Sequence, residues 1–236
     1  MMVRIGNFFF HYRNALFPVA YVLLFLTGPK LIPNHRMAVV IGLTVALVGQ
    51  SLRALTIGLE YIVRGGRNRQ VYATKLVQGG VFAHCRNPLY LGNFLILLGL
   101  DLVSNSRFFF AVGIPFFLFA YWAIIAAEEN YLRGKFGEEF TAYCARVNRL
   151  IPNFSRFGTT LQGMRFNWRQ LISSEYGSTY IWLAAAVLLI LKNLWSNGEY
   201  HRNLGMVWAL WSLLLLLTVA YGIARYLKKS GALETE

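Results

Sequence analysis

The sequence predicts an all-α, polytopic integral membrane bundle of about six transmembrane helices. Three observations predict it. Hydrophobic residues make up 56% of the 236 positions and charged residues only 14%, whereas a soluble domain carries about a quarter charged residues. Mean hydropathy is +0.46. Apolar stretches approaching the roughly 20 residues that a bilayer core demands recur along the chain. This composition excludes a disordered chain, and two cysteines exclude a disulfide framework. A net charge of +13 in so apolar a chain points to basic loops on the cytoplasmic side of a membrane rather than to nucleic acid.

The spans follow in order: 15–28, short; 37–59, with Arg53 near its inner end; 88–103; 108–127; 179–194; and 204–226. Phe8, Phe9 and Phe10 precede His11 and Arg13 with no small-residue cleavage site, so the first span is expected to be retained. With the N-terminus inside, segments 1–14, 60–87, 128–178 and 225–236 hold most of the 23 lysines and arginines. Lys30, Arg36, Arg107, Lys192 and Arg202 fall outside, and Arg53 lies within a span. Both termini and the two longest loops are therefore expected in the cytoplasm, of a bacterial inner membrane or an ER-type membrane. Ser104-Asn105-Ser106-Arg107 joins spans three and four tightly, so these helices should be antiparallel neighbours. The stretch 155–178 reads equally as a basic loop or an interfacial helix, with Leu161, Met164, Phe166, Trp168 and Leu171 interleaved by Arg165 and Arg169. The last two spans look like an appendage.

The inner ends of that hairpin form the densest polar constellation. Gly79-Gly80 permits a sharp turn, Asn87 suits a helix N-cap and Pro88 the first helical position. The helix start offers partial positive charge and N–H groups to an anion, or is a plain cap with a snorkelling arginine. Glu128 and Glu129 close the fourth span, at a depth where a carboxylate needs a partner. Arg86 is the protein candidate and a ligand ammonium the functional one. Beyond them Leu132, Phe136, Phe140, Tyr143, Val147 and Leu150 recur at helical spacing until Pro152, and Arg146 could point back toward the pocket. The four histidines are scattered without metal-ligand spacing. Cys85 and Cys144 face a reducing compartment, and a catalytic thiol at Cys85 has only His84 nearby. No phosphate-cradling glycine loop is present, and no soluble domain exists to hold nucleic acid.

Gly80-Val81-Phe82-Ala83-His84-Cys85-Arg86-Asn87-Pro88-Leu89-Tyr90-Leu91-Gly92 resembles the G-x-[YF]-x-x-x-R-[HN]-P-x-Y-x-G signature of the isoprenylcysteine carboxyl methyltransferase and phospholipid methyltransferase superfamily. The second signature, E-E-x-x-L followed by F-G-x-x-[YF]-x-x-Y, R-V and a proline, is matched by Glu128-Glu129-Asn130-Tyr131-Leu132, then by Phe136, Gly137, Phe140, Tyr143, Arg146, Val147 and Pro152. The resemblance covers about residues 70–153. It divides the chain into N-terminal helices with a loop (1–69), a methyltransferase core (70–153), and a connector with two further spans (154–236).

The resemblance implies an S-adenosylmethionine-dependent enzyme that methylates a lipid-like or prenylated acceptor, at oxygen or nitrogen, without a metal. It implies cofactor contacts at Lys75, Leu76, Val77, Phe82, Asn87, Pro88, Leu89, Tyr90 and Glu128, and reacting or positioning roles for Arg86, Tyr90, Glu129 and Arg146. Ile124 stands where the prenylcysteine enzymes carry the arginine that engages substrate. Two alternatives remain open. One is an NADPH-dependent membrane reductase of related fold, with Arg64, Arg67, Arg69 and Lys75 on the 2′-phosphate. The other is a non-catalytic membrane relic.

Overall fold

The computed structural model describes residues 1–59, 73–155, 157–162 and 165–233. Its helices are α1 (Met2–Val22), α2 (His35–Leu59), α3 (Pro88–Ser104), α4 (Ile114–Arg146), α5 (Phe157–Gln162), α6 (Trp168–Ser196) and α7 (Leu204–Lys229). No strand is present among the described residues. Five helical stretches are long and apolar enough to cross a membrane, and α3 is a shorter apolar helix. At 1.5 Å per residue, the 17 residues of α3 reach about 25 Å, slightly less than a hydrocarbon core. The all-α membrane bundle expected from the sequence is what the chain forms. The expected domain boundary at 69–70 lies outside the described residues.

Two close packings organise the bundle. The α2–α3 pair runs antiparallel on glycines: a Cβ on Gly42 would lie 2.5 Å from the Gly99 carbonyl oxygen, and one on Gly49 would lie 2.7 Å from that of Gly92. Small residues at such positions let two backbones approach in a medium where apolar burial gives little drive to associate. On the other side α1 lies against α4, with Gly6 tight on the Ala123 backbone and Phe9 and Phe10 packed on Ala120, Ala123 and Ile124.

Several expected boundaries shift. The first helix begins at Met2 rather than near 15, because Gly6, Phe9 and Phe10 form one buried face despite Arg4, His11 and Arg13 around them. Spans three and four are joined by a tight turn, with Asn105 left-handed (φ 57°) and its amide bonded both ways to Ile32. Even so, α3 packs chiefly on α2, and its Tyr90 meets Glu128 and Tyr121 of α4. The fourth span and the amphipathic segment after it are one element, bent at Gly137 (φ 53°, ψ −122°), a conformation that only glycine takes without strain. The connector resolves into short α5 and the first turns of α6, which starts at Trp168 with Asn167 capping Gln170 N at 2.9 Å. Met164 of that stretch lies outside the described residues.

The sixth helix is no appendage. Trp182 Nε1 donates to Gln50 Oε1 at 2.9 Å, Asn193 Nδ2 to the Val103 carbonyl at 2.6 Å, and Lys192 Nζ to the Ser104 carbonyl at 3.0 Å. The buried Arg53 guanidinium pairs with Glu175, Nε to Oε2 at 2.8 Å and Nη2 to Oε1 at 2.5 Å, and also donates to Asn93. A buried charge needs such a partner. By contrast α7 is peripheral, with most of its surface exposed.

Candidate active site

The ends of α2, α3, α4, α6 and α7 gather at one end of the bundle, where both sequence motifs lie. Residues 80–83 form a 3₁₀ turn that opens at Gly80 (φ 57°), followed by an irregular stretch to Asn87. The chain after α4 returns alongside this stretch. Arg86 N donates to the Asn148 carbonyl at 2.9 Å, Asn153 N to the His84 carbonyl at 2.9 Å, and the Cys85 thiol to the Leu150 carbonyl at 3.3 Å. His84 bonds Asn153 O through Nδ1 at 2.6 Å and Thr160 through Nε2 at 2.8 Å. Burial pushes the Cys85 thiol up to about 11, so it is a structural donor and a poor nucleophile near neutral pH.

This stitching brings Arg149 to the site. Its Nε lies 3.2 and 3.1 Å from the two Glu129 oxygens, its Nη2 also donates to Oε2, and its guanidinium carbon stands 4.7 Å above the Trp122 ring. Arg86 Nε lies 3.3 Å from Glu129 Oε1, and its Nη1 donates to the Cys144 carbonyl at 3.0 Å. One carboxylate, 5% exposed, therefore sits between two guanidiniums and leaves the cluster net positive. Arg149 is the residue that sequence reasoning missed. The helical spacing from Leu132 to Leu150 implies one continuous helix, but α4 ends at Arg146 with Val147 extended, and the reversal aims Arg149 back. Arg146 instead is exposed and donates to Gln78 Oε1 at 3.1 Å.

Asn87 stands at the N-cap of α3, with Pro88 at the first helical position, as its sequence predicts. Its side chain does not cap. The Nδ2 group turns to the Arg149 carbonyl at 3.1 Å and to Glu129 Oε1 at 3.5 Å, and the buried Oδ1 has no hydrogen-bond partner among the described residues. An orphaned acceptor on a residue 2% exposed is costly unless something else donates to it.

A narrow cleft is lined by Ala73, Lys75, Leu76, Val77, Arg86, Asn87, Glu129, Leu132, Phe140 and Tyr143. It thus unites six of the sequence-predicted residues. Its free space is only about 20 Å³, and Lys75, Leu76 and Val77 of segment 73–79 form one wall. That segment is held by Lys135 Nζ on the Ala73 carbonyl and by Gln78, which donates to Glu139 Oε1 at 2.8 Å.

The other predicted residues lie around the cleft. Glu128, one residue and about 100° round the helix from Glu129, accepts from the Tyr90 hydroxyl at 2.7 Å. Tyr90 in turn packs on Tyr121 at 5.7 Å. Phe82 is buried, with its carbonyl accepting from the Tyr143 hydroxyl at 2.7 Å. Pro88 is buried and Leu89 half-buried in the first turn of α3. Ile124 is fully buried against Phe9 and Phe10 of α1, leaving that position an apolar contact. Arg64, Arg67 and Arg69 lie outside the described residues.

Residues 35–139 match the profile of the family described as phospholipid methyltransferase. This segment is thus similar to a family of membrane methyltransferases, consistent with the isoprenylcysteine carboxyl methyltransferase and phospholipid methyltransferase resemblance of the two motifs. Among similar proteins, a nickel-cobalt-cadmium resistance protein of Alcaligenes xylosoxydans xylosoxydans is 33% identical over 117 residues, covering 50% of this chain and 49% of its own. A cobalt-zinc-cadmium resistance protein of Cupriavidus metallidurans is 32% identical over 116 residues, covering 49% and 51%. The chain thus spans about half the length of the curated relatives it matches. No solved structure matches. Among the described residues no group of three or more His, Cys, Asp or Glu side chains could hold a metal ion.

Proposed function

We propose that the protein is an S-adenosylmethionine-dependent methyltransferase acting on a membrane-embedded amphiphile, with the motif end of the bundle in the cytoplasm. The observation that carries this reading is the cleft in which Glu129 lies between Arg86 and Arg149, beside the unsatisfied Asn87 oxygen. The residues fit an amino-acid nucleoside. Arg86 and Arg149 suit its carboxylate, which bidentate guanidiniums bind well. Glu129 suits its ammonium. Asn87 Oδ1 accepts one of its N–H or O–H groups, and the uncapped start of α3 adds backbone donors. Val77, Leu132, Phe140 and Tyr143 supply the apolar walls that such a site needs.

When bound, S-adenosylmethionine supplies an electrophilic methyl group on a sulfonium, and the protein's main task is alignment. For a carboxylate acceptor no proton has to leave. For an amine acceptor a base is needed. Glu129 is engaged by two guanidiniums, so Glu128, bonded to the Tyr90 hydroxyl, is the second carboxylate placed to take a proton. The relatives' names concern metal resistance; our reading rests on the family and the cleft instead.

The test is methyl transfer. Purified protein with methyl-labelled S-adenosylmethionine and membrane lipid extract should move label into the organic phase. Label remaining wholly in the aqueous phase across phospholipid, fatty-acid and prenyl-acid acceptors would overturn the proposal.

A further inference from the structure

Away from the cleft, a groove of about 360 Å³ runs between α6 and α7, with Gln50 of α2 in its wall. That volume falls within the roughly 300–1,000 Å³ of small-molecule sites. On the α7 side Ala220 and Ala224, one turn apart, leave a gap that larger side chains would close. Leu183 and Leu217 line it with apolar surface. Tyr221 lies against Tyr180 at 4.7 Å and Tyr176 at 5.4 Å, and all three border the space.

The end of the groove toward the last turn of α7 is basic. Arg225 Nη1 donates to the Tyr221 hydroxyl at 3.0 Å. Lys228 Nζ donates to the Ser173 carbonyl at 2.7 Å and stands 5.5 Å from the Tyr176 ring. Each cation is anchored on a tyrosine that lines the groove and keeps further N–H groups for an anion. Among the described residues the one carboxylate lining it, Glu175, is neutralised by Arg53. An apolar slot within the membrane, ending in two cations where the helix leaves it, is complementary to one class of molecule: a chain with a phosphate at its head.

We propose that the groove between α6 and α7 binds one phospholipid, with an acyl chain against Leu183, Leu217 and Ala220 and the phosphate on Arg225 and Lys228. Apart from Gln50 in its wall, the site lies outside residues 35–139, and it does not depend on the methyl-transfer reading.

Native mass spectrometry of the delipidated full-length protein tests it, with dioleoylphosphatidylglycerol and the phosphate-free dioleoylglycerol as probes. One phosphatidylglycerol should bind saturably, at least tenfold more tightly than dioleoylglycerol. Two variants attack the two halves of the site: Arg225→Gln with Lys228→Gln removes the cations, and Ala224→Phe fills the slot. Each changes the peripheral helix, and each should cost the first lipid about tenfold in affinity. Equal binding of the two probes, unsaturable binding of annular lipid only, or wild-type affinity in both variants would overturn the proposal.

Discussion

Glu129 lies between Arg86 and Arg149, and the three side chains form a unit in which each charge offsets the burial cost of another. Arg149 and Arg146 are three positions apart and chemically identical, yet only Arg149 reaches Glu129. Arg149→Gln is therefore expected to weaken S-adenosylhomocysteine binding tenfold or more, and Arg146→Gln to leave it within about threefold; tenfold is about 1.4 kcal/mol. Calorimetry on the two variants measures the contrast, and equal losses would contradict the placement. Cys85 offers a second check. With its thiol pushed up to about 11 by burial, almost no thiolate exists at pH 7.5. Its alkylation should be far slower than that of a free cysteine peptide, and should accelerate only as pH rises toward 11. Rapid labelling at pH 7.5 would show the segment to be open. At this scale the sequence was informative where a residue's role is local. Arg86 was one of two candidate partners it offered for the Glu128–Glu129 pair, and the positions of Asn87 and Pro88 at the helix start could be read from it. Arg149 could not, because its role depends on the chain reversing after Arg146, and extended backbone at Val147 carries no periodic signature.

At the scale of elements, glycines decide geometry in two different ways. Gly49 and Gly92 hold α2 and α3 together, and a Cβ on Gly92 would stand 2.6 Å from Arg53 Cγ and 2.9 Å from the Gly49 carbonyl. Gly92→Ala should therefore lower stability by about 1–3 kcal/mol through overpacking, read as a fall in melting temperature in detergent. Gly137 has open space around it, so Gly137→Ala tests the backbone alone. Its φ of 53° makes any L-residue strained there, and the variant should lose melting temperature together with cofactor affinity, because the bend carries Phe140 and Tyr143 to the cleft. The existence and order of the long helices were legible from hydropathy. The bend was not, because the amphipathic spacing runs through it unbroken. Nor was the early start of α1, where buried Phe9 and Phe10 are flanked by basic residues.

At the scale of the molecule, the chain joins the segment that matches the methyltransferase profile to helices on both sides of it. The first helix seals α4 at Ile124, and α6 ties α2 and α3 together through Arg53–Glu175. A tag or cysteine reporter placed at either terminus should respond from the cytoplasm, since the basic loops and both predicted inner termini share one side. Opposite responses would break the topology. The most direct measurement is calorimetric titration of S-adenosylhomocysteine into the detergent-purified protein and its Glu129→Gln variant, with NADPH as the paired control. The account predicts saturable binding of the homocysteine compound to the wild type, at least tenfold weaker binding to the variant, and no binding of NADPH. Binding of NADPH alone, or wild-type affinity in the variant, would contradict it.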